Sequence, residues 1–214
     1  MYRLAITSSI ALILSAALWA ASSAPRPAPA PAVLTPEQQA TEHYNRGLEH
    51  QQKAWDHEKK AAKAKDPQKE MAKVGSEYEK AIAAQREATR LNPKFHEAFS
   101  SLGYALPKTG DYPGALKGYD AALALQPEYA EAVEYRGEAY LGLNRVEEAQ
   151  QAYEWLFLHD PTKAAALLAA FKEWGSRAAG VEPAKVDAVG AWVAQKEAAA
   201  QEMSGTRETG KKEW

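Results

Sequence analysis

The sequence predicts an all-α protein made of helical hairpins stacked side by side, and three observations predict it. β-Branched residues are scarce: among 214 residues there are eight valines, and beyond residue 13 the one isoleucine is Ile82. Strands are built chiefly from β-branched and aromatic residues, whereas helices favour Ala, Leu, Glu, Lys and Gln. Alanine is abundant, at 45 residues, which lets helices approach closely while each residue buries little area. Finally, Pro93, Pro127 and Pro161 fall 34 residues apart, and a fixed period in the range of 20–50 residues signals an array of stacked repeat units.

Taken in chain order, the first element is an apolar run from Leu4 to Ala21 behind Arg3 and the α-amino group. Positive charge ahead of an apolar stretch holds the N-terminus inside and sends the chain beyond that stretch across the membrane. Residues 1–23 therefore read as a cleaved signal peptide or an uncleaved membrane anchor, and the remainder as extracytoplasmic, in a periplasm-like compartment. Residues 24–36 carry Pro25, Pro27, Pro29, Pro31 and Pro36 alternating with small residues. Such a segment favours extended polyproline II and reads as a spacer.

The repeats occupy residues 37–163, as units 37–94, 95–129 and 130–163. A shift of 34 aligns Gly103 with Gly137, Ala81 with Ala115 and Ala149, Ala88 with Ala122, and Tyr119 with Tyr153. The second unit reads Phe99, Leu102, Gly103, Leu106, Ala115, Tyr119, Ala122, Pro127, and the third Val133, Arg136, Gly137, Tyr140, Ala149, Tyr153, Leu156, Pro161. This series resembles the tetratricopeptide repeat (TPR), whose pattern is Trp-Leu-Gly-Tyr-Ala-Phe-Ala-Pro. The resemblance implies a helical-hairpin solenoid of about three repeats. Small Gly103 and Ala115 belong where paired helices touch, Tyr119 and Tyr153 fill the gap to the next repeat, and Pro127 and Pro161 stop second helices. Asp111 is placed to cap the helix after Gly110, with Pro113 tolerated in its first turn, and Pro107 should shorten or bend the helix before it.

The first unit is elongated. Gly47 and Ala81 match the repeat glycine and alanine but lie 34 residues apart, where Gly103 and Ala115 lie 12 apart. Residues 42–62 form three heptads, and Met71, Val74, Tyr78, Ala81, Gln85 and Ala88 recur at spacings of three and four. Both arms are therefore helical, turning near Asp66-Pro67 and extending the hairpin by roughly 16 Å. With Gly47 opposite Ala81, Trp55 should meet Met71 and Val74. After Pro161 the signature decays, leaving one stripe of Leu167, Phe171, Trp174 and Ala178 and another of Val186, Val189, Trp192 and Val193. Residues 164–203 read as capping helices, which a repeat stack needs at its apolar end, and 204–214 as a disordered tail.

A formal charge of −2 and a pI near 6.2 give no nucleic-acid footprint, so no nucleic-acid partner is expected. The absence of cysteine excludes disulfides, thiolate-held metals and thiol catalysis. No nucleophile elbow, phosphate-binding glycine loop or HExxH occurs; no enzyme activity, cofactor or metal is expected. His43, His50 and His57 stand seven residues apart, which on a helix is about 10.5 Å and too far for one ion. They read as a solvated face laced by Glu42–Arg46, Glu49–Lys53 and Asp56–Lys60.

The TPR resemblance also implies a concave groove lined by the first helix of each repeat. Carried over, it gives Tyr44, Asn45, Leu48 and Gln51, then Glu97, Ser100, Ser101 and Tyr104, then Glu131, Glu134, Tyr135, Glu138 and Leu141. The Lys/Asn/Arg clamp with which one TPR subclass holds acidic tails is replaced here by Tyr44, Leu48, Ser101, Glu131 and Tyr135. The expected partner is therefore a protein or peptide carrying Lys or Arg beside apolar side chains, held by a non-enzymatic adaptor in the cell envelope. The alternative is a structural, self-associating protein pairing through the hairpin at residues 48–78.

Overall fold

The computed structural model describes residues 33–178 and 180–209, with side chains through residue 202; the expected export segment and most of the spacer lie outside them. The chain divides after Leu34, and the described helices belong to the part beginning at Thr35. Among the described residues there are eight α-helices and no strand: α1 (Pro36–Ala61), α2 (Gln68–Leu91), α3 (His96–Ala105), α4 (Tyr112–Leu125), α5 (Ala130–Gly142), α6 (Val146–His159), α7 (Pro161–Arg177) and α8 (Pro183–Thr209). Consecutive helices pack as antiparallel hairpins, and α1, α3, α5 and α7 are the first helices of four successive hairpins. The fold is the expected TPR helical-hairpin solenoid. Among the described residues no helix is long and apolar enough to cross a membrane.

α1 starts earlier than the spacer reading allowed. Thr35 Oγ1 accepts from the Gln38 amide at 3.3 Å, Gln38 Oε1 accepts from the Thr35 amide at 2.9 Å, and Pro36 sits at the first helical position. Proline is tolerated there because its missing N–H would have no partner in any case. Along α1 the buried residues are Ala40, Gly47, Ala54 and Ala61. This heptad of small side chains forms a seam against Val74, Tyr78, Ala81, Gln85 and Ala88, the buried face of α2.

That seam corrects the expected place of Trp55 but keeps the expected register, since His50 pairs with Glu77 and His57 with Glu70, within one residue of Gly47 opposite Ala81. The long Gln85 side chain leans back along α2 to Gly47, where an added Cβ would lie 2.2 Å from Gln85 Nε2. Ala54, not Trp55, enters the core with Val74 and Tyr78. Trp55 is one position, about 100°, further round α1 and stands half-exposed.

His50 and His57 are also not on a solvated face. His50 Nδ1 lies 2.6 Å from Glu77 Oε2 and His57 Nδ1 lies 2.6 Å from Glu70 Oε2, both pairs partly buried at the edge of the α1–α2 seam. Lys80 and Lys73 flank the same carboxylates at 2.6 and 2.7 Å. Hydrogen bonds from Lys73 first, then His57, hold the Glu70 carboxyl down at about 2. Glu42–Arg46, Glu49–Lys53 and Asp56–Lys60 are not among the ion pairs of the described residues; Asp56 accepts instead from Gln52 Nε2 at 3.1 Å.

The second and third hairpins follow the repeat closely. Pro107, lacking an N–H, breaks the first helix into a 3₁₀ turn at Leu106–Thr109, closed by Gly110 at φ 89°. The residue 34 further on, Asn144, has φ 57° and closes the α5–α6 turn in the same left-handed conformation. Asp111 Oδ1 caps α4 by accepting from the Gly114 amide at 2.8 Å. The Asp160 carboxylate accepts from the Thr162 and Lys163 amides at 3.1 Å each, so Pro161 both ends the third repeat and opens α7.

The cap is a fourth hairpin without the repeat signature. Where Gly103 and Gly137 stand in the second and third hairpins, the fourth carries Phe171, which packs on Trp192 at 4.8 Å between ring centroids. Leu167, Phe171, Trp174, Val189 and Val193 are buried with Val133, Tyr153 and Leu156 in one core cluster. α8 runs on to Thr209, through residues 204–209 of the expected tail. Each added residue gains a backbone hydrogen bond at little cost once a helix exists, and Gly205 alone does not stop it.

A brace joins the third repeat to the cap. Lys163 Nζ donates to Glu134 Oε2 at 2.7 Å, and Glu134 is 7% exposed.

Two sets of substitutions test this packing, read by urea denaturation and far-UV circular dichroism. A Cβ on Gly103 would lie 2.6 Å from the buried Tyr119 ring, whereas one on Gly75 meets nothing within 4 Å. Gly103→Val should cost about 1–3 kcal/mol, and Gly75→Ala should add about 0.5–1 kcal/mol. Glu134→Ala strands the Lys163 ammonium and should cost about 1–3 kcal/mol; Glu134→Leu with Lys163→Met should recover most of it.

Candidate binding groove

Because α1, α3 and α5 are successive first helices, side chains at matching turns converge on one concave face. Tyr44, Leu48, Gln51, Gln52 and Trp55 from α1, Glu97, Ser101 and Tyr104 from α3, and Glu131 and Tyr135 from α5 line a groove of about 340 Å³. Its floor is fixed by amides. Gln51 Nε2 donates to the Ser101 carbonyl at 3.0 Å and to Ser101 Oγ at 2.9 Å, joining α1 to α3. Beneath it the fully buried Gln85 donates to Ser101 Oγ at 2.9 Å and to the Tyr44 carbonyl at 3.2 Å.

The walls are aromatic. Tyr104 and Tyr135 pack with centroids 5.1 Å apart, and Tyr44 packs on Phe95 at 4.8 Å. Trp55 closes one end, 49% exposed, with Lys59 Nζ lying 3.1 Å from its ring centroid. Lys108 Nζ lies 5.4 Å from the Tyr104 ring.

The groove is also electronegative. Burial first, then Glu131, raises the Tyr44, Tyr129 and Tyr135 hydroxyls above the usual phenol range; Glu97 adds to the first two. Glu131 takes part in no ion pair among the described residues, while Glu97 lies 3.1 Å from His96 Nδ1. Glu131 accepts from the Tyr129 hydroxyl and is felt by Lys163; a carboxylate beside half-buried phenols favours an incoming cation over an anion.

The structure brings together Tyr44, Leu48, Gln51, Glu97, Ser101, Tyr104, Glu131 and Tyr135 of the predicted lining. Asn45 is solvent-exposed on α1 outside the groove lining, and Ser100 is buried beneath it. Glu134 is spent on Lys163. Glu138 and Leu141 line a different pocket of about 520 Å³, between α5 and α7, with Tyr112, Asn144, Glu173, Trp174 and Arg177. There the crowding of the pocket walls and the Glu134 carboxylate push the Glu138 carboxyl up to about 7, against the pull of Lys108; solvent still reaches it. Sequence reasoning missed Gln52 and Trp55. Tyr44, Leu48, Gln51 and Trp55 recur at spacings of four, three and four, so continuing the groove stripe one more turn along α1 would have found Trp55.

Among the described residues no group of three or more His, Asp or Glu is placed to hold a metal ion. No protein-family model matches the chain. Solved structures similar to it include the second TPR domain of human RPAP3 in complex with the HSP70 peptide SGPTIEEVD. That match has 22% identity and a TM-score of 0.49, over 63% of this chain and 95% of that one. MamA is similar at 19% identity and a TM-score of 0.46, over 82% of this chain and 96% of that one. The TPR domain of Arabidopsis OM64 is similar at 17% identity and a TM-score of 0.43, over 58% and 93%. With its 34-residue period, its glycine-notched hairpins and its row of first helices along one concave face, the chain has the tetratricopeptide-repeat fold.

Proposed function

We propose that this chain is a non-enzymatic, protein-binding adaptor whose concave groove holds a segment carrying Lys or Arg beside an aromatic or apolar side chain. One observation carries the reading: Glu131, without a cationic partner in any ion pair of the described residues, sits on the wall that Tyr44, Tyr104, Tyr135, Leu48 and Trp55 complete. Tyrosine and tryptophan supply large contact area at low entropic cost, and an acid among them selects a cation over an anion. Lys59 on Trp55 is an internal example of the same pairing. None of the lining residues is a Lys or Arg, and the two lysines at its edge, Lys59 and Lys108, lie over the Trp55 and Tyr104 rings. An extracytoplasmic, envelope location rests on the apolar run Leu4–Ala21 behind Arg3.

The test is fluorescence anisotropy with peptides alternating Lys or Arg with Phe or Trp, and the acidic peptide SGPTIEEVD as the opposite-charge control. The basic aromatic peptides should bind, weaken as salt is raised, and lose about ten-fold or more in affinity with Glu131→Lys. Tighter binding of the acidic peptide, or indifference to Glu131→Lys, would overturn the proposal.

A further inference from the structure

The end of the long hairpin is strongly basic in a chain that is acidic overall. Lys59, Lys60, Lys63, Lys65, Lys69 and Lys73 stand there against two acids, Asp66 and Glu70, a net +4 where the whole chain carries −2. We propose that this lysine-tipped finger is a docking surface for a membrane bearing anionic lipids.

The finger stands clear of the repeats. Lys108, in the 3₁₀ turn of the second hairpin, lies 5.9 Å from the Tyr78 ring, and from Tyr78 α2 runs a further ~15 Å to Gln68. From Lys59 to Lys73 only Ala61 is buried and only Glu70 half-buried; the other side chains are exposed. Both acids are engaged, Glu70 by His57 and Lys73, and Asp66 Oδ1 by the Gln68 amide at 3.2 Å. Lys59 is turned onto the Trp55 ring. Lys60, Lys63, Lys65 and Lys69 take part in no ion pair among the described residues, and all four lie within about one helical turn of the hairpin's end.

The chemistry selects a broad surface over a fitted partner. All six cations are lysines, whose compact ammonium groups on flexible stems act as point charges. Arginine, with the planar fork that fits a single phosphate or carboxylate, is absent from the tip. No aromatic ring stands between Lys59 and Lys73 on which bases could stack, while Met71, 52% exposed, offers an apolar side chain to the lipid interface. Cations spread round a protruding end match an anionic plane, and each lysine brought near it adds to binding. Glu97 and Glu131 give the groove the opposite sign, so the same plane attracts the finger and repels the groove, leaving the groove free for its own partner. Such contact is peripheral and needs no spanning helix.

The experiment uses residues 33–214, which include the whole described fold and omit the apolar run Leu4–Ala21. They are co-sedimented with vesicles of mixed phosphatidylglycerol and phosphatidylcholine, and with vesicles of phosphatidylcholine alone. Binding is expected to the anionic vesicles only, and should weaken about ten-fold or more between ~50 and ~500 mM salt. Lys60→Glu, Lys63→Glu, Lys65→Glu and Lys69→Glu together should reduce it about ten-fold or more, with the fold checked by far-UV circular dichroism. Arginine at the same four positions should preserve it, and Glu131→Lys should leave it at least as strong. Equal binding to neutral vesicles, no binding to anionic ones, or indifference to the four charge reversals overturns the proposal. Tighter capture of an oligothymidylate strand would assign the finger to nucleic acid instead. Self-association abolished by the four reversals, with no vesicle binding, would assign it to the acidic groove of another copy; either result overturns membrane docking.

Discussion

The architecture depends on one steric constraint: each of the first three hairpins has a glycine notch on its first helix, and a larger side chain fills it. Gln85 fills the notch at Gly47, Tyr119 the notch at Gly103, and Leu167 the notch at Gly137. Contacts this close set helix separation, and helix separation sets how far the concave side chains stand from one another. In the fourth hairpin the notch is gone because Phe171 occupies its position. The stack ends there, with Trp192 and the valines of α8 covering the last apolar face.

The first hairpin departs from the others in a way that serves the groove. Gln85 stands 34 residues before Tyr119 and 68 before Tyr153, so a polar amide replaces a phenol ring at the same repeat position. Buried, that amide needs hydrogen bonds, and it makes them to Ser101 and the Tyr44 carbonyl. Those bonds, with Gln51 on Ser101, hold α1 against α3 just where Tyr44 and Tyr104 line the same groove. Stability and binding geometry thus share the same atoms.

Much of the fold was legible because the repeat is written in residues whose size or backbone geometry is decisive: Gly103, Gly137, Ala115, Ala149, Pro127 and Pro161. The 3₁₀ turn at Pro107 and the cap at Asp111 were legible for the same reason. The groove was legible only where repeat position sufficed. Repeat position misassigned Glu134 and Glu138, because which acid meets a lysine depends on how the cap packs, and Lys163 carries no signature that announces it. Register in the long hairpin was legible from the turn near Asp66-Pro67, and His50–Glu77 and His57–Glu70 pair within one residue of Gly47 opposite Ala81. Trp55 was drawn to the hairpin core by its hydrophobicity, when the seam required the smaller Ala54.

The central claim is that the first hairpin contributes Trp55 to a cation-selecting groove shared with α3 and α5. It is tested most directly by NMR, following the Trp55 indole N–H and the backbone amides as a peptide alternating Lys and Phe is added. The account predicts that the largest shifts fall on Trp55, Leu48, Tyr104, Glu131 and Tyr135. Shifts confined to the α7–α8 cleft or to the outer face of α2, with the Trp55 indole unmoved, would contradict it.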